Sequence, residues 1–193
     1  ALQKLSLYEK EIDLSALGME WALGLCETSQ SWLKANLEIK SKALNLPEAS
    51  MFYLAKIVEK EFGDRLFYPF RKWLGEPTKY MTEEYGDFSR FLNGDYAPSL
   101  GGMRRVLRSA AKTARPDEPE LITKLRVFLE STNRLDKTKL LTRATLDKLN
   151  SLAHARNSLA HVGEPDIVKL QEYAGFILLI DKPGPLLEAI GIQ

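Results

Sequence analysis

Arg156 and His161 stand five residues apart late in the sequence and are the residues best suited to chemistry. A guanidinium group stays charged at any working pH and offers a fork of donors that matches a carboxylate or a phosphate. An imidazole, with an ordinary pKa of about 6.5, can move a proton at neutral pH. Asn157 lies four residues before His161, so both can share one helix face. This pattern predicts a site that binds an anionic group and transfers a proton.

One amphipathic helix must position these side chains. At 100° per residue, the segment from residue 144 to 165 carries an apolar stripe, and Gly163 and Pro165 end it. The stripe consists of Leu146, Leu149, Leu152, Ala153, Leu159 and Ala160. Arg156 falls near its middle, where an unpartnered charge is costly. We therefore expect either helix-end carbonyls or a carboxylate such as Glu20 or Glu172 to hold the guanidinium, or a cleft that an anion enters.

Other candidate side chains have structural interpretations. His161 can cap the C-terminal end of its helix, where a positive charge interacts favourably with the helix dipole. His154 points away from the apolar stripe and is expected at the surface. Four aromatic residues are expected in the core rather than as platforms for stacking bases: Tyr68, Phe70, Trp73 and Tyr80.

Positive charge is concentrated in one part of a nearly neutral chain. The net charge is +1, but residues 103–148 hold 12 basic and 6 acidic side chains. A cationic face is predicted on the helix that begins after Ser99, formed by Arg104, Arg105, Arg108, Lys112 and Arg115. Such a face is either merely solvated or attracts an RNA backbone without regard to sequence.

The hydrophobic pattern indicates an all-α fold, because apolar residues recur at helical spacing and no segment alternates as a strand would. We expect a single domain over residues 1–193, with N-terminal helices over 1–97 and the basic, motif and last helices over 98–193. Helices are predicted over 13–37, 47–62, 64–75 (short or broken), 81–92, from Ser99, from about Pro119, in the motif segment, and over 166–181. The last is apolar nearly all round, which indicates burial in a bundle or against a second subunit.

Composition narrows the class of protein. With 45% hydrophobic and 27% charged residues, the chain is typical of a globular domain, and no apolar run is long enough for a membrane span. One cysteine allows no internal disulfide and suits a reducing compartment, so we expect a cytoplasmic protein. One cysteine and two histidines make a structural zinc site improbable, and no cofactor is expected. The N-terminus does not resemble a signal peptide, and the absence of an initiator Met indicates a processed or excised chain.

The segment Arg156-Asn157-Ser158-Leu159-Ala160-His161 resembles the R-N-x-x-x-H motif of the HEPN superfamily. The resemblance covers about a dozen residues, with small residues before the histidine and a helix break after it. It implies a HEPN-like helical bundle with an N-terminal helical elaboration. Many members of this superfamily are RNA-cleaving toxins or effectors of antiviral defence, including CRISPR-associated ribonucleases.

The resemblance implies metal-independent cleavage of single-stranded RNA to 2′,3′-cyclic phosphate and 5′-hydroxyl ends, in a composite site between two copies of the chain. Arg156 would stabilise the phosphorane, His161 would transfer protons and Asn157 would orient the imidazole. On an ideal helix Arg156 and His161 point about 140° apart, so convergence requires a loosened helix or a second chain. Gly163 stands where toxins paired with a nucleotidyltransferase antitoxin usually have tyrosine.

The partners expected are thus RNA, a second copy of the chain, and an antitoxin or sensor domain, but no membrane. A non-catalytic alternative remains open. In it the chain is a HEPN-like module of a larger effector that binds RNA or protein, or that only dimerises.

Overall fold

The computed structural model describes residues 12–41, 47–133, 135–159, 167–179 and 182–193. Helices dominate these residues, which contain no β-strand and one isolated antiparallel bridge between Leu178 and Pro183. The all-α class predicted from the sequence is confirmed. The α-helices are α1 (Glu27–Ser41), α2 (Pro47–Phe62), α3 (Tyr68–Trp73), α4 (Gly86–Asn93), α5 (Leu100–Ala110), α6 (Glu120–Ser131), α7 (Lys137–Leu140), α8 (Arg143–Leu159), α9 (Ile167–Gly175) and α10 (Pro185–Glu188).

The N-terminal segment does not form the single long helix that was predicted over residues 13–37. Gly18 adopts a left-handed φ of 72°, which ends the first turn, and a 3-10 helix then spans Glu20–Gly24. Leu25 is extended, so α1 begins only at Glu27. Trp21 and Leu25 are nevertheless buried. The apolar spacing predicted one helix, but spacing alone does not distinguish a continuous helix from a broken one, because both can bury the same side chains.

The chain stays helical from α2 into α3 through a π-helical segment, Gly63–Phe67. The sequence predicted a stop at Gly63, and only the α-hydrogen bonding ends there. The buried side chains Phe62, Leu66 and Phe70 are spaced by four residues. Because a four-residue step drifts by about 40° in an α-helix, the wider π turn helps this row to stay on the core.

Residues 77–85 form two short 3-10 helices instead of the continuous helix predicted over 81–92, and α4 starts only at Gly86. Gly94 ends α4 with a left-handed φ of 94°. The next two predicted starts are confirmed. The Ser99 hydroxyl accepts the Gly102 N–H at the start of α5, and α6 follows Pro119.

Arg126 on α6 fastens the turn that follows α5. Its guanidinium donates to the carbonyl oxygens of Ser109, Ala110 and Lys112 at 2.9–3.1 Å, and it pairs with Glu118, which is largely buried. The last carbonyls of α5 therefore have a charged partner in place of water. This contact fixes the C-terminal end of the basic helix against α6.

Helix α8 packs against both α2 and α5, and it belongs to a hydrophobic core cluster that extends from Leu14 to Ile192. The described members of the predicted apolar stripe are all buried: Leu146, Leu149, Leu152 and Ala153. The side chains of Leu159 and Ala160 lie outside the described residues. The short helix α7, capped by the Asp136 carboxylate, was not predicted.

The last predicted helix is shorter than expected. Helix α9 ends at Gly175, and the apolar residues that follow form a turn in which Leu178 pairs with Pro183. The Gly184 N–H donates to the Ile177 carbonyl at 2.8 Å. An added Cβ on Gly184 would lie 2.6 Å from the Ile177 backbone, so this close approach needs glycine. Among the described residues, no helix is long and apolar enough to cross a membrane.

Candidate functional site

Arg156 lies in the last turns of α8, on the side that faces α2. Its Nη1 is 3.1 Å from Oε1 of Glu59, and 31% of the Arg156 side chain is exposed against 12% of Glu59. A carboxylate was expected to hold this guanidinium, but the expected partners were Glu20 and Glu172, both of which are exposed. The predicted kind of partner, a carboxylate, is confirmed, but the partner is Glu59 and neither of the two glutamates that were predicted. The guanidinium is oriented by an ion pair without being enclosed.

Glu59 contacts three parts of the fold. Besides Arg156, its Oε2 lies 3.0 Å from Nζ of Lys56 one turn earlier on α2, and its Oε1 is 3.5 Å from the backbone N of Leu100. Leu100 is the first residue of α5, where a helix dipole favours negative charge. One carboxylate therefore links α2, α5 and α8. Two cations against one anion leave this group with a net charge of +1.

A small cleft of about 130 Å³ opens beside this group. It is lined by Trp32, Lys56, Glu59, Lys60, Tyr68, Ala97 and Pro98. Tyr68 is 41% exposed, with its ring edge-on to Phe91, and Trp32 is half-buried. Aromatic rings beside lysines are a combination that holds single-stranded nucleic acid by stacking and charge.

The four aromatic residues expected in the core differ in their exposure to solvent. Phe70 is fully buried, which confirms one of them, and Tyr80 is half-buried. Tyr68 and Trp73 are 41% and 43% exposed, so the core interpretation is wrong for them. Trp73 stacks on Phe70 and also contacts the ring of Phe128.

The other motif residues have different outcomes. Asn157 is exposed near the end of α8. His161, with Gly163 and Pro165, lies outside the described residues, so its meeting with Arg156 stays a prediction. His154 is exposed, as the sequence predicted.

The five cations predicted to form one face on α5 lie in three places. Arg104, Arg108 and Lys112 line a second cavity, of about 350 Å³, between α5 and α8. Arg105 points elsewhere and donates to the Glu84 carbonyl at 3.4 Å. Arg115 lies beyond α5, is 64% exposed and is 4.0 Å from Asp117. The five cations therefore do not form one continuous surface.

Two charged side chains near the first cleft have shifted pKa values. A hydrogen bond to Asp64 raises the pKa of Lys60, so the lysine stays charged. Burial raises the pKa of Glu61, but hydrogen bonds from Arg65, Ser29 and Cys26 outweigh it and leave a lowered pKa. Glu61 accepts the Cys26 N–H at 2.9 Å just before α1, so this carboxylate is structural.

No family model matches this sequence, and no similar protein was found among curated proteins or solved structures. The functional argument therefore depends on the motif and on the geometry around it. Within the described part of the chain, no group of three or more His, Cys, Asp or Glu residues is placed to hold a metal ion.

Sequence reasoning missed Glu59, Lys56, Trp32 and the position of Tyr68 in the cleft. Glu59 and Lys56 look like ordinary solvated positions of an amphipathic helix. Only the packing of α2 on α8 brings them to Arg156. The one available signal was the cost of an unpartnered arginine on an apolar face, which demanded an acid but did not say which.

Proposed function

We propose that this protein is a HEPN-type endoribonuclease that cleaves single-stranded RNA without a metal ion, in a site shared by two copies of the chain. One observation carries the proposal. Glu59 orients the guanidinium of Arg156 while almost a third of that side chain stays exposed, close to a cleft with aromatic and cationic walls. The exposed part of the side chain remains accessible to a phosphate.

The chemistry requires one proton acceptor and one proton donor. The ribose 2′-oxygen attacks the adjacent phosphorus and loses its proton to one imidazole, while the bond to the 5′-oxygen breaks and that oxygen takes a proton from a second imidazole. His161 of each copy supplies these two groups, because a single histidine cannot do both in one concerted step. The products are a 2′,3′-cyclic phosphate and a 5′-hydroxyl.

Arg156 stabilises the charge that grows on the phosphorane oxygens. Glu59 acts as a positioning residue, since it holds one edge of the guanidinium and does not reach the reacting atoms in this role. Lys56 keeps the group around Glu59 at a net positive charge, which favours a phosphate over solvent. Asn157, near the end of α8, would orient the imidazole.

The test is cleavage of a labelled single-stranded RNA in the presence of EDTA, with the product ends identified. Arg156→Ala and His161→Ala should each abolish cleavage and leave the far-UV circular dichroism spectrum unchanged. His154→Ala is the matched control, because it removes the chain's other histidine from an exposed position on α8. Cleavage that survives both motif substitutions would overturn the proposal.

A second candidate is a non-catalytic RNA-binding module of a larger effector, and the cavity between α5 and α8 favours it. This candidate predicts RNA binding without cleavage and an affinity that falls with salt. Charge reversal at Arg104 and Arg108 should then weaken binding, whereas Arg156→Ala should not. Cleavage by the unmodified protein excludes it.

A further inference from the structure

The cavity between α5 and α8 is strongly positively charged. It has a volume of about 350 Å³ and is lined by Arg104, Arg108, Ala111, Lys112, Leu141, Arg143, Leu146, Asp147 and Asn150. Four cations against one carboxylate give these walls a net charge of +3. The cations stand on both sides, three on or just after α5 and one at the start of α8. Their charges therefore border one partly open cavity from two sides.

Little of this charge is neutralised by the protein. Arg104 donates to Oδ1 of Asn150, a neutral acceptor that fixes the guanidinium without cancelling its charge. Arg143 lies 3.6 Å from Asp147, but the two side chains are 95% and 71% exposed, so water screens the pair. Among the described residues, no carboxylate stands within ion-pair distance of Arg108 or Lys112.

This cavity is a different place from Arg156 and from the cleft beside Glu59. Arg143, Leu146, Asp147 and Asn150 follow one face of α8, and Arg156 lies about 130° around the helix from them. It also lies about 9 Å further along the axis than Asn150. A group bound in the cavity therefore leaves Arg156 and the cleft beside Glu59 free.

The charge of the walls selects among anions. A phosphodiester inside a strand carries one charge, which offsets only part of a wall charge of +3. A terminal phosphomonoester carries up to about two charges near neutral pH and presents three free oxygens to donors on both sides of the cavity. Leu141 and Leu146 add an apolar wall on which the sugar or base next to that phosphate can rest.

We propose that the cavity between α5 and α8 binds the terminal phosphomonoester of an RNA strand and so anchors the substrate by its end. The inference rests on the proposed function for the identity of the strand, but it concerns binding at residues that take no part in the chemistry. The shared ligand chemistry is a phosphomonoester on a nucleoside, which a free mononucleotide also offers.

The experiment is a fluorescence-anisotropy titration with 2′-O-methyl RNA hexamers, which a 2′-hydroxyl-dependent enzyme cannot cut. One hexamer carries a 5′-phosphate, one a 3′-phosphate and one has hydroxyls at both ends, while 5′-AMP and adenosine serve as unlabelled competitors. A hexamer with one of the two phosphates should bind about tenfold or more tightly than the hydroxyl hexamer. The Arg108→Gln/Lys112→Gln double variant should lose this preference.

Arg105→Gln is the matched control, since it removes a cation from the same helix outside the cavity. It should keep the preference, and so should Arg156→Ala. Thermal unfolding of each variant checks the fold. The single Arg108→Lys variant should keep most of the preference because it keeps the charge.

Equal affinity for all three hexamers overturns the proposal, as does an equal loss in the Arg105→Gln variant. Competition by 5′-AMP but not adenosine, without preference for a phosphorylated hexamer, assigns the cavity to free nucleotides and overturns the strand-end proposal. If the Arg156→Ala variant loses cleavage but keeps the preference for a phosphorylated end, the cavity and the reaction depend on different residues. The two proposals can then be refuted independently.

Discussion

The ion pair between Glu59 and Arg156 should add about 1–2 kcal/mol to the free energy of unfolding. Nη1 of Arg156 and Oε1 of Glu59 lie 3.1 Å apart, and at an effective dielectric constant of about 20 two unit charges at that distance attract by at most about 5 kcal/mol. Desolvation of Glu59, which is 12% exposed, and screening at Arg156, which is 31% exposed, oppose that attraction. The net value therefore falls between those of exposed and buried pairs.

A double-mutant cycle isolates this coupling. The four proteins are the unmodified chain, Glu59→Gln, Arg156→Gln and the double variant, each unfolded by urea at pH 7. Because Glu59→Gln also removes the partner of Lys56, the single substitution costs more than the coupling, but that part cancels in the cycle. The Glu76–Lys79 pair is the control, with side chains 70% and 64% exposed and an expected coupling below about 0.5 kcal/mol.

The same variant has a functional consequence. Glu59→Gln raises the net charge of the group formed with Arg156 and Lys56 from +1 to +2. Single-stranded RNA should then bind more tightly, with a salt dependence steeper by about 0.7 in its logarithmic slope. Cleavage should nevertheless fall, because the guanidinium loses the carboxylate that orients it. A coupling no larger than that of Glu76–Lys79, together with unchanged cleavage, refutes the reasoning.

Three further predictions concern the scaffold and the assembly. Gly94→Ala should lower the free energy of unfolding by about 1–2 kcal/mol because φ is 94°, whereas Gly86→Ala, at φ −49°, should be neutral or stabilising by at most about 1 kcal/mol in the same urea assay. Glu61→Gln should cost about 2 kcal/mol at pH 7, where the lowered pKa of Glu61 contributes stability. That contribution is present above its ordinary pKa of 4.5 and is lost as the pH falls through the folded pKa, so the two unfolding curves should converge in acid; a constant gap contradicts the assignment. If two copies share one site, equal amounts of active and His161→Ala chains should, after exchange, have about a quarter of the activity of the unmodified protein at the same total concentration. About half of that activity indicates independent copies.

Much of the second half of the fold was predictable because local signals and tertiary packing agree there. Ser99 and Pro119 mark the starts of α5 and α6, and the apolar stripe of α8 is buried as expected. The errors come from short apolar runs, which periodicity cannot assign to a helix or to a turn. After Gly175 the apolar run folds back at Pro183 and loses helical hydrogen bonding.

The candidate site was predictable in its first member and not in its surroundings. Arg156 stands out because its type conflicts with its position on the stripe, and such conflicts mark functional positions. Glu59 carries no conflict of its own, since a glutamate on the polar side of α2 is ordinary. Its role exists only once α2, α5 and α8 are packed together. Local periodicity does not predict a long-range contact of this kind.

The π-helical segment Gly63–Phe67 decides which side chains can share the first cleft. Glu59 and Tyr68 are nine residues apart, and in an uninterrupted α-helix they would project about 180° from one another. The wide turn absorbs about one residue of that separation, which brings the two directions to within about 80°. An acid and a phenol that strict α-geometry would send to opposite sides thus reach the same opening. Deletion of one residue inside the π turn should therefore preserve the relative directions of Glu59 and Tyr68. Deletion of one residue elsewhere in α2 should rotate the side chains on one side of the cleft relative to those on the other.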